Sequence, residues 1–196
     1  MDHQLMSMVD WSWKLGEAAE RIRTRYAHIG SKTGAPFLAI VYPPDAQAAV
    51  FKEWHVLLDG LKPEFDVRSI DLLQITHKVV TELGGPNVVE ALRHPMPGSD
   101  PLNDLNTMWA KAIADAVRQA FAQAGSGGAK PAVSLERCAA LHPVMGPRDM
   151  MHALWGSDSQ TLQGPVIVLI PGTVVGPRTY EFLDIRSEFM YRGDLI

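Results

Sequence analysis

The 196-residue sequence holds a single cysteine, Cys138. One cysteine excludes an internal disulfide and any cysteine-rich zinc site. Basic residues are also few. Eighteen Lys and Arg against 22 Asp and Glu give a net charge of −4, whereas a dedicated nucleic-acid binder shows a basic stripe or a high pI. No apolar run approaches the roughly 20 residues that span a bilayer. The opening MDHQLMSMVD has no basic start leading into an apolar stretch, so no secretion signal is expected and the expected location is cytoplasmic. Repeats and low-complexity tracts are missing too. What is there is a soluble globular mix, 46% apolar and 20% charged, long enough for one domain with a sizeable core.

Residues 1–30 read as an amphipathic helix, with Trp11, Leu15, Ala18, Ile22 and Tyr26 at three- and four-residue steps and Asp10 placed to cap its start. The unbroken apolar run Pro36–Pro44 predicts a strand buried on both faces. A helix follows through Val50, Phe51, Trp54, Leu57, Leu58 and Leu61, with Asp45 as its expected cap. Residues 65–72 (FDVRSIDL) read as a short strand running into a helix that Gly84-Gly85 stops, and a short helix is expected around Val88, Val89 and Leu92. Asp100-Pro101 opens what reads as the longest helix, with proline at its favoured first position and a seam of Leu102, Leu105, Trp109, Ile113, Ala116 and Ala120. Gly125-Ser126-Gly127-Gly128 ends it, a linker too short to separate domains.

The last third alternates again: a strand over Ala132–Ala139, a helix from Pro147 with Met150, Met151 and Leu154 inward, and a strand over Pro165–Gly172. Short strands near Tyr180–Leu183 and Glu188–Arg192 complete the tail. Strands alternating with helices predict an α/β fold, a single domain with a mostly parallel sheet of about five strands flanked by helices.

In such a sheet a ligand binds at the carboxyl ends of the strands, near a switch in strand order. Pro43-Pro44-Asp45, Asp71, the stretch Cys138–Arg148, and Pro171-Gly172-Thr173 would meet there. The two prolines offer no N–H to a phosphate and Asp45 adds a negative charge, so dinucleotide binding of the Rossmann type is not expected. Gly30-Ser31-Lys32-Thr33 carries the Lys-Thr of a Walker A loop without the glycine before the lysine, and reads as a loop. Cys138 and His142 have the spacing of a thiolate–imidazole pair, but Cys138 lies in the apolar run with Ala139, Ala140 and Leu141 and reads as a buried thiol. The seven histidines form no H-x-x-x-H arrangement, and His142, His152 and Asp149 straddle a loop-to-helix transition, so no metal site is assigned. Arg148 stands at a helix start, against the dipole, which calls for a partner: Asp71, Asp149 or an anionic ligand, with an internal ion pair preferred. Gly172 after Pro171 permits a sharp turn at positive φ. Trp11, Trp13, Met6 and Met8 make the N-terminus rich in large apolar groups; most should be core, and those facing solvent would mark a partner surface, for which Trp11 and Trp13 are the candidates.

The segment order resembles the BrxB family, a component of the BREX bacteriophage-exclusion systems. The resemblance runs from about residue 35 to the end, through FLAIVYPPD, DVRSIDLLQI, the long helix, LHPVMGPRDMMHALW, PVIVLIPGT and EFMYRGDLI. It divides the chain into an N-terminal helix, residues 1–30, and a BrxB-like α/β domain, residues 35–196. The family's apolar strand often has an aromatic before Pro-Gly, where this chain has Ile170. The resemblance implies a small accessory protein acting beside a large ATPase, a DNA methyltransferase and the alkaline-phosphatase-like PglZ protein. It brings no catalytic residues and no cofactor, and it makes Pro143, Arg148, Pro171 and Gly172 fold determinants.

The expectation is therefore a non-enzymatic adaptor of an anti-phage complex, working through protein–protein contacts with a PglZ-like protein or with the ATPase or methyltransferase. Neither membrane nor direct nucleic-acid contact is expected, and pairing of two copies along an edge strand is a further arrangement the sequence allows. The rival expectation is an enzyme or ligand-binding module with a pocket at the carboxyl edge of the sheet, formed by Asp71, His142, Arg148 and Thr173.

Overall fold

The computed structural model describes residues 2–30, 34–124, 127–157 and 162–196, and only the backbone of 2–10. The lysine and threonine of the Walker-like loop, the Gly125-Ser126 pair, and the side chains of Met6, Met8 and Asp10 therefore lie outside the described residues.

Helix α1 spans Asp2–Arg25. Trp11, Leu15, Ala18 and Ile22 are buried along one stripe, as their spacing requires. Because the helix starts well upstream, Asp10 lies within it and is not its cap. Strand β1 (Phe37–Tyr42) is buried at every residue, the pattern of a strand covered on both faces. It leads into α2 (Gln47–Asp59) through a 3-10 turn at Pro44–Ala46. Asp45 sits inside that turn, and no side chain caps α2.

Strand β2 (Phe65–Asp71) passes directly into α3 (Leu72–Glu82). The junction is made by Asp71, whose carboxylate accepts from the backbone N–H of Leu73 and Gln74 at 3.0 and 3.4 Å. Helices α4 (Pro86–Arg93) and α5 (Pro101–Gln123) follow, each with proline in its first turn. Asp100 caps α5 through the Asn103 N–H at 3.1 Å. At 23 residues α5 is one shorter than the 24-residue α1, so it is not the longest helix. Its buried seam is Leu105, Trp109, Ile113, Val117, Ala120 and Phe121, and Leu102 is exposed instead of inward.

The remaining elements are β3 (Lys130–Glu136), a 3-10 turn at Cys138–Leu141, α6 (Pro147–Ser157), β4 (Val166–Gly176), β5 (Thr179–Phe182), β6 (Arg186–Phe189) and β7 (Asp194–Leu195). The parallel strands lie in the order β2-β3-β4-β1-β7. From β1 the chain crosses to the far edge and then returns strand by strand. Right-handed crossovers in opposite directions place their helices on opposite faces. Accordingly α1 and α2 cover one face, against Leu38, Ile40, Tyr42, Ile167 and Leu169, while α3, α5 and α6 cover the other, against Phe37, Ala39, Val41, Val168 and Ile170. The α/β fold expected from the alternation is the fold found.

The N-terminal helix is not set apart. Trp11 and Leu15 share one apolar layer with β1, α2 and β4, and the Gly30 N–H donates to the Asp194 carboxylate at 3.1 Å.

Strand β4 differs from its expected form. It does not end at Gly172: residues up to Pro171 lie beside β1 and the rest pairs antiparallel with β5. Gly172 makes the change of partner at φ +154°, and a Cβ there would stand 2.0 Å from the Glu181 carbonyl oxygen. Only glycine allows that close approach of two backbones. The β4–β5–β6 extension folds back toward α6, and this is what builds the site.

Candidate functional site

The turn after β1 has prolines at positions 43 and 44, so it presents fewer backbone N–H donors than a phosphate-binding turn requires. The end of β3, beyond β4 from β1, is closed by side chains, two of them from α2. The buried Trp54 indole N–H donates to Ser134 Oγ at 2.9 Å, and Ser134 Oγ lies 3.4 Å from Glu136 Oε1. The largely buried Glu136 carboxylate meets His55 Nε2 at 3.0 Å. Neither His55 nor Glu136 stands out in the sequence, since 81 residues separate them.

A second polar cluster joins the start of α6 to the hairpin. Glu188 on β6 keeps only 1% of its side chain exposed. Its Oε2 accepts from the Arg148 backbone N–H at 2.9 Å and from the Tyr180 hydroxyl at 2.7 Å, and its Oε1 lies 3.1 Å from Arg186 Nε. The helix-start amide and the guanidinium are what a buried carboxylate needs. Room for it comes from Gly146, where a Cβ would fall 1.7 Å from Glu188 Oε1.

Arg186 extends the cluster outward. Its Nη2 meets Asp149 Oδ2 at 2.5 Å, and Asp149 Oδ1 accepts from Arg148 Nε and Nη2 at 3.2 and 3.1 Å. Burial alone would raise the Asp149 pKa, but hydrogen bonds from Arg148 and Arg186 outweigh it and hold the carboxyl below its ordinary value. Tyr180 is pushed up, by burial first and then by the adjacent Glu188.

Above this cluster opens a cavity of about 460 Å³ lined by Arg148, Asp149, Met151, His152, Met190, Tyr191 and Arg192. The Arg192 guanidinium lies 5.4 Å over the Trp155 ring, and Tyr191 packs edge-on against Phe189 at 4.9 Å.

Of the four residues expected to share a pocket, Arg148 alone is among those lining this cavity. Asp71 caps α3 and pairs with Arg137 Nε at 3.4 Å. Thr173 donates through its hydroxyl to Asp184 at 2.8 Å. His142 stands exposed before Pro143. The bend in β4 gives Thr173 a local partner on the hairpin, so it does not serve Arg148. The partner of Arg148 is Asp149, the ion pair preferred from sequence. Cys138 is buried, and burial, then the Glu188 charge, push its thiol far from thiolate chemistry. Among the described residues no three His, Cys, Asp or Glu side chains gather as a metal site. None of the described helices is long and apolar enough to cross a membrane.

The proposed aromatic surface divides. Trp11 is 6% exposed and belongs to the core, because it lies on the stripe that α1 turns toward β1 and α2. Trp13, two residues on, points outward at 62% exposure. A larger apolar surface, missed from sequence, lies on α3, α4 and α5. Leu83, Val89, Leu92, Leu102 and Met108 are all exposed there, and Leu83, Val88, Leu92 and Met108 help to line a shallow groove of about 250 Å³. Spacing on α5 gives no sign of it, because Leu102 is in phase with the buried seam and Met108 alone falls off it. No family model, no curated protein and no solved structure matches the chain.

Proposed function

We propose that this chain is a non-enzymatic adaptor that docks a partner protein on its α3–α5 face. The observation that carries the reading is the groove there, lined by the exposed Leu83, Leu92 and Met108, with the exposed Val89 and Leu102 on the same helices. Isolated apolar residues on a surface are ordinary, whereas a contiguous group around a groove marks a contact site. Its occupant is an amphipathic helix of the partner, which would lay apolar side chains along the α4–α5 cleft. The resemblance of residues 35–196 to the BrxB family directs the choice of partner to the BREX components. The PglZ-like protein comes first, then the large ATPase and the methyltransferase. DNA contact would fall to those partners, in keeping with a net charge of −4.

The test is capture of the tagged chain co-expressed with the proteins encoded beside it, followed by mass spectrometry. Stoichiometric recovery of the PglZ-like protein or the ATPase supports the reading. Recovery of the chain alone at high expression overturns it.

A further inference from the structure

The cavity above α6 carries chemistry that an adaptor does not use. Its lining holds two guanidiniums, Arg148 and Arg192, against one carboxylate, Asp149, with the His152 ring beside them. That carboxylate is already shared between Arg148 and Arg186. The cavity thus has cationic donors in excess, in a chain whose net charge is −4.

These donors are fixed in place. Arg148 is held through two of its nitrogens by Asp149, and its backbone N–H is fixed by the buried Glu188. Arg192 lies on the Trp155 ring and makes no ion pair among the described residues. A cation held over an aromatic face by its π system leaves N–H donors of the guanidinium available, and that planar fork matches the oxygens of a phosphate. The remaining walls are of another kind. Met151 and Met190 are buried side chains that give an apolar floor, and the Tyr191 ring, 69% exposed, borders the opening. A volume of about 460 Å³ lies in the range of roughly 300–1,000 Å³ typical of small-molecule sites.

We propose that this cavity binds a small phosphorylated molecule with a planar group, of mononucleotide size. Arg148 and Arg192 take the phosphate, Met151 and Met190 support the body of the ligand, and Tyr191 stacks on its planar part. The site stands apart from the α3–α5 groove, so it does not depend on the adaptor reading.

The test is isothermal titration of the purified chain with AMP, GMP, inorganic phosphate and a short single-stranded oligonucleotide. The variants are Arg192→Gln, Arg148→Gln and Tyr191→Ala. Arg192 and Tyr191 are exposed and outside the core, so their variants are expected to keep the fold, and a melting curve on each verifies it. Saturable binding of AMP or GMP is expected, weakened at least about tenfold by either arginine change, as loss of a charge-assisted contact requires. Tyr191→Ala should weaken the nucleotide and leave inorganic phosphate unchanged. Failure of both nucleotides to bind below about 1 mM overturns the proposal, as does binding that Arg192→Gln leaves intact. Binding of the oligonucleotide alone, with steep salt dependence, overturns it in favour of a nucleic-acid surface.

Discussion

Replacing Gly146 with alanine probes the cluster under α6 with a single methyl group. At a glycine with ordinary backbone angles this change normally stabilises a protein by about 0.4–1 kcal/mol, through the unfolded chain. Here the new Cβ would lie 1.7 Å from Glu188 Oε1 and 2.7 Å from its Cδ. The carboxylate must leave its slot. It then gives up the Arg148 N–H, the Tyr180 hydroxyl and the Arg186 guanidinium together. Breaking a buried, hydrogen-bonded charge cluster costs about 3–5 kcal/mol. For a chain of this size each kcal/mol moves Tm by about 2–4 °C, so a fall of roughly 6–20 °C is expected. Differential scanning calorimetry measures it, with Gly16→Ala as the control, since a Cβ at Gly16 meets nothing within 4 Å. A Gly146→Ala protein that melts within a degree or two of the parent, or above it, refutes the account of Glu188 as the anchor of α6.

Two further outcomes follow from the same contacts. Ser134→Ala should destabilise by about 1–3 kcal/mol in urea unfolding, because it strands the buried Trp54 indole N–H; an unchanged midpoint would contradict that hydrogen bond. The Asp149 carboxyl is held below its ordinary value in the fold, so it binds protons more readily when unfolded. Its stabilisation is complete above the unfolded value of about 3.9 and is lost as pH falls through the folded value. Asp149→Asn should therefore flatten the acid limb of a stability-against-pH curve, and an unaltered limb counts against the Arg148–Asp149–Arg186 arrangement.

The scaffold was legible because its signals are local. The unbroken apolar runs of β1 and β4 announce strands covered on both faces, and Pro101 and Pro147 mark helix starts. A local rule fails where it meets a tertiary constraint. Asp45 has the right residue type for a cap, but the Pro43-Pro44 pair leads into a 3-10 turn that takes it in. Leu102 fits the spacing of the α5 seam, yet it lies one turn from where α5 reaches the sheet and stays exposed.

The cluster under α6 was only half legible. Arg148 stands out in the sequence because its charge opposes the helix dipole. Glu188, 40 residues later, reads as one more polar residue on a short tail strand. Its role appears only when β4 bends at Gly172 and carries the hairpin back to α6. Periodicity reports which face of an element is buried, and says nothing of which distant element covers it.

Docking through the α3–α5 face is read out by the affinity of the purified chain for the purified PglZ-like protein. The comparison is with a Leu92→Glu/Met108→Glu variant, both of whose positions are exposed and line the groove. A measurable complex is expected with the parent chain and a loss of at least about tenfold in the variant, as charge placed within an apolar contact requires. Equal affinity for parent and variant would contradict it.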